Sequence, residues 1–299
     1  FTRSGTTWSQ QAYIKASNTD PYDAFGSSVA LSADGSTLAI GAYGEDSAAT
    51  GIDGNQLDNS AKYDGAVYVF TRNGAAWSQQ AYIKASNANV LNPYANFSFG
   101  SRVALSSDGS TLAVAAPGES SSATGINGNQ LDNSTENAGA VYVFTRSGIT
   151  WSQLAYIKAS NTNAYDNFGT SLSISGDGKI LAVGAVGERG GSIGIDGNQL
   201  DNTAHAAGAV YVYNLSGSSW AQQAYIKASN TNAGDYFGSS LSLSADGSIL
   251  SVGATSERSN ATGINGNQLD NSAESAGAVY IFIRNGITWT CLLYTSPSP

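Results

Sequence analysis

Short apolar runs bounded by Gly, Asp, Asn and Ser follow one another along the whole chain. Nowhere do apolar positions recur with the period of a helix. The run from Phe25 to Ala42 sets the pattern: two short strands rich in Val, Leu, Ile and Ala, joined at Asp34-Gly35. An Asp-Gly pair supplies the positive φ that a tight hairpin needs. The pattern returns at Phe99-Gly100, Phe168-Gly169 and Phe237-Gly238, with turns at Asp108-Gly109, Asp177-Gly178 and Asp246-Gly247. In the first unit these strands are predicted over 26–32 and 37–42, a third over 66–70 and a fourth over 77–85. All four are short and rich in β-branched and aromatic residues.

Trp8, Trp77, Trp151, Trp220 and Trp289 mark a period of about 70 residues. The units fall at 17–86, 87–160, 161–229 and 230–289, with 1–16 the end of a preceding unit. The second is longer, and its insertion lies within 87–98, just before the Phe-Gly step, where a loop absorbs it. Four antiparallel strands per repeat predict an all-β fold, a β-propeller of four-stranded blades with about four blades present. A β-sandwich module would need about seven strands. Residues 8–16 could supply the strand missing from the last unit and close a four-bladed ring; the preferred expectation is an open arc. The strand 2 to strand 3 connection is long in every unit, spanning 43–64 in the first. In a four-stranded meander that connection and the link to the next blade leave from the same end. One face should therefore carry all the long loops, and loops on a rigid scaffold are where binding residues gather.

The net charge of −9 excludes a basic footprint for nucleic acid, and no apolar run approaches the ~20 residues of a membrane-spanning helix. The chain has no Met and a single Cys, Cys291. That cysteine lies in the segment 290–299, which leaves the Ser-Gln-Gln-Ala-Tyr-Ile-Lys continuation of the other units and reads like a translated sequencing adapter. The expectation is a piece of a longer protein with a foreign tail, lacking disulfides and cysteine-based chemistry.

Phe25-Gly26, Gly41-Ala42 and Gly65-Ala66-Val67-Tyr68-Val69-Phe70, repeated in phase four times with Ala115-Ala116-Pro117-Gly118 in the second unit, resemble the FG-GAP repeat. This is the blade unit of integrin α-subunit propellers and of many bacterial surface proteins. The bacterial variant with a Trp-Ser-Gln-Gln strand is most similar, over residues 1–289. The resemblance implies extracellular or cell-surface placement, adhesion or ligand binding, and a parent ring that is often seven-bladed. The calcium loop of that family lies between strands 1 and 2. Here the connection is only Ala33-Asp34-Gly35-Ser36, too short for the six to eight oxygens calcium takes.

A second candidate cation site is the loop core Gly51-Ile52-Asp53-Gly54-Asn55-Gln56-Leu57-Asp58-Asn59 and its three copies. Oxygen-bearing side chains at alternate positions suit a hard cation such as Ca2+. The candidate ligands are Asp53, Asn55 and Asp58; Asn127, Asn129 and Asp132; Asp196, Asn198 and Asp201; Asn265, Asn267 and Asp270. The alternative is that these side chains bond their own backbone and shape the loop. Glu45, Glu119, Glu188 and Glu257, just after strand 2, and Asp23, Asp166 and Asp235, two residues before Phe-Gly, are candidates for a ligand-binding face; the alternatives are that the glutamates join the cation site or cap backbone amides at the loop entry, a structural role their fourfold repetition favours, and that the aspartates stabilise the turn between strand 4 and the next strand 1. The second unit has Phe97 in place of that aspartate. Lys15, Lys84, Lys158 and Lys227 are expected to snorkel at a sheet edge, Tyr13, Tyr82, Tyr156 and Tyr225 to pack between blades, and the lone His205 to be a solvated loop residue.

No catalytic residue is assigned, because four near-identical repeats do not supply a one-off constellation. The expected function is a non-catalytic extracellular binding or adhesion propeller meeting a protein or glycan through its long-loop face, with cation assistance as an option. The alternatives are a propeller hydrolase or lyase acting on polysaccharide, or an architectural repeat of a large surface protein.

Overall fold

The computed structural model describes residues 1–88 and 97–292, which form eighteen strands and no helix. Most of the insertion, and residues 293–299 of the foreign-looking tail, lie outside them. A small hairpin, β1 (Thr2–Ser4) and β2 (Thr7–Ser9), precedes four four-stranded antiparallel sheets, one per repeat. The first contains β3 (Ser28–Leu31), β4 (Thr37–Ala42), β5 (Ala66–Asn73) and β6 (Ala76–Ile83). The second contains β7 (Arg102–Leu105), β8 (Thr111–Ala116), β9 (Ala140–Ser147) and β10 (Thr150–Ile157). The third runs β11 (Phe168–Ile174), β12 (Ile180–Ala185), β13 (Ala209–Ser216) and β14 (Ser219–Ile226). The fourth runs β15 (Phe237–Leu243), β16 (Ile249–Ala254), β17 (Ala278–Asn285) and β18 (Thr288–Cys291). Each sheet is a meander in chain order, as the turn spacing predicts.

The sheets stand face to face in an arc, with first strands innermost: β3 lies beside β7, β7 beside β11, and β11 beside β15. No comparable packing joins β15 back to β3 among the described residues, so the ring is open. Each blade interface is one hydrophobic cluster. Ala39, Val67, Val69, Ala81 and Ile83 of the first blade meet Phe99, Leu112, Val114, Tyr142 and Phe144 of the second, and all are buried. A middle blade is covered on both faces, so β8 and β12 are buried at every position and show no alternation.

The seam of each interface is made of backbone. The Phe99 amide donates to the Asp64 carbonyl at 3.0 Å, and Gly65 lies so close that a Cβ there would stand 2.1 Å from the Phe99 carbonyl oxygen. Gly139 against Phe168 and Gly208 against Phe237 repeat this approach at 2.1 Å. The Phe-Gly and Gly-Ala steps read from the sequence are therefore the two halves of one contact, contributed by successive blades. The ring of each Phe stacks edge-on against the strand 3 aromatics of its own blade, as Phe99 does on Tyr142 at 5.3 Å.

At the opposite end the hairpin tips join in series: Ala33 N–H donates to Ser107, Ser107 to Gly176, and Gly176 to Ala245, at 2.9, 2.8 and 2.7 Å. Each tip is a four-residue loop in which only the Gly takes positive φ, and Asp34 Oδ1 receives the Ser32 hydroxyl and the Ser36 amide.

One expectation is corrected, and of the two arrangements weighed for residues 8–16 the preferred open arc holds. The last unit has a fourth strand: Trp289 pairs with Arg284, Thr290 with Ile283 and Cys291 with Phe282. The ladder uses backbone, so Thr290 and Cys291 extend it despite their departure from the repeat, and Trp289 is buried like Trp151 and Trp220. Residues 8–16 do not complete that blade within the chain; Trp8 pairs instead with Arg3 in the small hairpin.

Gly65→Ala should cost the roughly 1–2 kcal/mol of a left-handed alanine plus the displacement of the Phe99 carbonyl. Gly74→Ala, at φ 61° with nothing within 4 Å, should cost the first part alone. Urea unfolding of the two variants checks the difference.

Candidate functional site

The long connections do share one face. In the first blade the link before strand 1 and the strand 2–3 loop are stitched together: Gly44 N–H donates to Asp23, Asn18 Nδ2 to the Gln56 carbonyl at 2.8 Å, and Asn59 Nδ2 to Asp20 at 3.0 Å. The next blade's link joins them, Ser98 N–H donating to Tyr63. The face is thus a continuous hydrogen-bonded surface across blades.

Each candidate cation ligand holds a defined piece of loop backbone. Asp53, Asn127, Asp196 and Asn265 all adopt φ of 55–56°, the left-handed region that Asp and Asn tolerate best after Gly. Asp53 Oδ1 accepts the Tyr82 amide, Asn127 Oδ1 that of Tyr156 and Asp196 Oδ1 that of Tyr225, at 2.9–3.0 Å. An acceptor oxygen is all this position requires, which explains why Asp and Asn alternate there. Asn55, Asn129, Asn198 and Asn267 each accept the amide two residues on, a local Asx turn. Asp58, Asp132 and Asp201 each bridge two amides, at Ser60 and Ala48, Ser134 and Ser122, and Thr203 and Gly191; Asp270 accepts that of Ser272. Hydroxyl and amide donors hold Asp58, Asp132 and Asp201 below the usual carboxylate range, with Asp132 down to about 2. The side-chain oxygens accept amides rather than converge on a common point, and no three His, Cys, Asp or Glu side chains gather among the described residues. This set does not fit a cation cage as it stands.

The ligand-face glutamates are corrected outright: Glu45, Glu119, Glu188 and Glu257 are buried, so they offer no surface to a ligand. Lys84, Lys158 and Lys227 are buried with them and form ion pairs at 2.8, 2.6 and 2.7 Å. Of these four lysines Lys15 is the exposed one, with no such partner among the described residues. An apolar strand end placed over a buried carboxylate draws the ammonium inward, which the sequence pattern alone did not reveal. Burial pulls Lys158 and Lys227 below the ordinary lysine value, and Glu119 and Glu188 oppose that fall. Asn18, Asn87, Asn161 and Asn230, unnoticed in the sequence, complete each cluster. Each donates to the glutamate of its blade and to a loop carbonyl, and accepts a strand 3 tyrosine hydroxyl, as Tyr211 does to Asn161 at 2.5 Å.

Asp23, Asp166 and Asp235 are likewise buried, accepting the amides of Asp20, Asn163 and Asn232 at 2.9–3.0 Å. Burial raises all three, and Asp166, with Glu188 adding to the effect, reaches about 7. Phe97 fills the same place fully buried, which agrees with an internal position. His205 is exposed, and its carbonyl accepts the Gly234 amide.

What the face does present is leucine. Leu57, Leu131, Leu200 and Leu269 are 84, 82, 83 and 83% exposed. The preceding Gln is fixed twice: its carbonyl accepts the cluster asparagine, and its side chain meets Ser17, Ser86, Ser160 or Ser229. The Leu amide is itself bound in the Asx turn. Each leucine therefore projects from a braced backbone.

Blades meeting at Phe-Gly and Gly-Ala seams, with loops on one face, define a β-propeller-type repeat protein. The chain belongs to the FG-GAP repeat family, which matches residues 8–70, 151–213 and 220–282. The unmatched unit is the one carrying the insertion. No curated protein matches the chain. Among solved structures, a putative 6-phosphogluconolactonase from Bacteroides uniformis is 10% identical, covering 93% of this chain and 58% of its own, with a TM-score of 0.47. Hydrazine synthase from Kuenenia stuttgartiensis is 14% identical, covering 93% and 49%, at 0.43. A hypothetical selenium-binding protein from Sulfolobus tokodaii is 10% identical, covering 86% and 51%, at 0.43. The chain thus spans about half the length of these structures. No helix among the described residues is long and apolar enough to cross a membrane.

Lys158→Met should leave Glu119 buried without its ammonium and cost about 3–5 kcal/mol, much of it recovered in Glu119→Gln/Lys158→Met; chemical unfolding measures both. Asp166 in the unfolded chain titrates near 3.8 and in the folded chain near 7, so the folded state holds the extra proton and stability falls as pH rises between these values. The melting temperature should drop from pH 5 to pH 8, and Asp166→Asn should flatten that slope.

Proposed function

We propose that the chain is a non-catalytic binding propeller of an extracellular or cell-surface protein, and that a macromolecular ligand covers its long-loop face. One observation carries this reading: four large apolar side chains are held in water at the same place on four blades, each by its own hydrogen bonds. Scattered exposed leucines are ordinary, whereas a repeated and braced set suits a surface that is covered when the protein works. The apolar chemistry favours a protein ligand over a glycan. The family membership supports the extracellular placement.

A binding screen against extracellular proteins and glycans, with the wild-type chain and a Leu57→Ser/Leu131→Ser/Leu200→Ser/Leu269→Ser variant, tests this. Losing about 1.4 kcal/mol of contact weakens binding tenfold, so the fourfold variant should lose at least about tenfold with its fold intact. A ligand bound equally by both chains would place the site elsewhere.

A further inference from the structure

Three of the charge clusters hold an amine, a carboxamide and a carboxylate in the order that amide exchange needs. In the first blade Glu45 Oε1 accepts Asn18 Nδ2 at 3.0 Å, while Oε2 of the same carboxylate accepts Lys84 Nζ at 2.8 Å. Glu119 binds Asn87 and Lys158 through both its oxygens at 3.3 and 2.6 Å, and Glu188 binds Asn161 and Lys227 at 3.2 and 2.7 Å. The carboxamide oxygen has its own donor in each case, the hydroxyl of Tyr68, Tyr142 or Tyr211. Burial raises these three phenols, so they stay protonated and able to donate. The lysines and glutamates are buried, with Asn18 and Asn161 buried beside them and Asn87 half-buried. Charge pairing alone requires only the ammonium and the carboxylate. The carboxamide, bonded at both its nitrogen and its oxygen, is a third reactive group at the same place.

We propose that each of the first three blades closes on itself through an isopeptide bond between this lysine and this asparagine. In the first blade Glu45 takes a proton from the Lys84 ammonium, and the neutral Nζ attacks Asn18 Cγ. The tetrahedral intermediate carries its negative charge on Oδ1, where the Tyr68 hydroxyl already donates. Glu45 passes its proton to Nδ2 as the Cγ–Nδ2 bond breaks. It then removes a second proton from Nζ, which leaves with the released ammonia as ammonium. A Cγ–Nζ bond replaces the Cγ–Nδ2 bond, and no oxidant, reductant or further reactant is consumed.

Two features favour the reaction. Desolvation lowers Lys158 and Lys227, against the pull of Glu119 and Glu188, so the neutral amine is easier to reach than in water. Side-by-side placement supplies rate, since well-oriented groups reach effective molarities of about 10⁵–10⁸ M, and escape of ammonium makes the exchange one-way. Asn18 precedes β3 and Lys84 follows β6, so the bond encloses a whole blade and its sheet cannot peel apart from either end. The cross-link is independent of what the leucine face binds.

The intact mass of the purified full chain, taken denatured and reduced, should fall short of the sequence mass by one ammonia for each bond. Trypsin should release branched peptides joining Asn18 to Lys84, Asn87 to Lys158 and Asn161 to Lys227. Asn230 also meets a buried glutamate, Glu257, but the sequence has no lysine after Lys227; its side chain should stay a primary amide. Lys158→Met/Glu119→Gln should lose the second branch and one ammonia of the deficit, and keep the other two. Should that variant fail to fold, the wild-type masses decide alone. A wild-type chain at its full sequence mass, or one that has lost ammonia without any of the three branched peptides, overturns the proposal.

Discussion

The close approach of backbone to backbone between blades is the constraint on which the rest depends. Where the Phe99 carbonyl meets Gly65, no side chain fits, and the same seam recurs at Gly139 and Gly208. Sheets that come this close must present small residues on their inner strands, and β4, β8 and β12 do so with Ala and Gly. The large side chains are displaced toward strands 3 and 4, where Tyr and Phe fill the widening space between the blades.

This packing also explains the buried ions. At the loop-bearing end of the first three blades the strand 4 backbone runs on past its apolar core, so the lysine that follows enters the protein rather than the solvent. Burying two charges costs free energy unless they meet with good geometry. The first three blades satisfy that condition with ion pairs of 2.6–2.8 Å and an asparagine that ties each cluster to the loop above it. Because that asparagine comes from the link between blades, the internal charge cluster, the loop and the neighbouring blade are set together. A rigid face follows, and the leucines stand on it.

Much of the fold was legible in the sequence because strand chemistry is local. Val, Ile and aromatic runs, Asp-Gly turns and a tryptophan period carry their meaning within a few residues, and repetition removes ambiguity of register. The loop core was legible only as a choice between a cation site and a self-bonded turn. Its oxygens face backbone amides such as that of Tyr82, a strand 4 residue far along the chain, so spacing within the loop could not decide. The glutamates and lysines misled for a similar reason: 39 residues separate Lys84 from Glu45, and a polar residue at a strand end reads as exposed until its partner is known.

The sequence by itself determined the repeat, the four-stranded unit, the meander order and the side on which the long loops lie, since each follows from local preference and the alternating direction of antiparallel strands. Only the tertiary structure decided which polar residues are inside, that the ring stays open, that Thr290 and Cys291 continue a strand, and that a leucine of each loop faces water. Burial is a property of what a neighbouring blade covers, and that depends on contacts between residues distant in the chain.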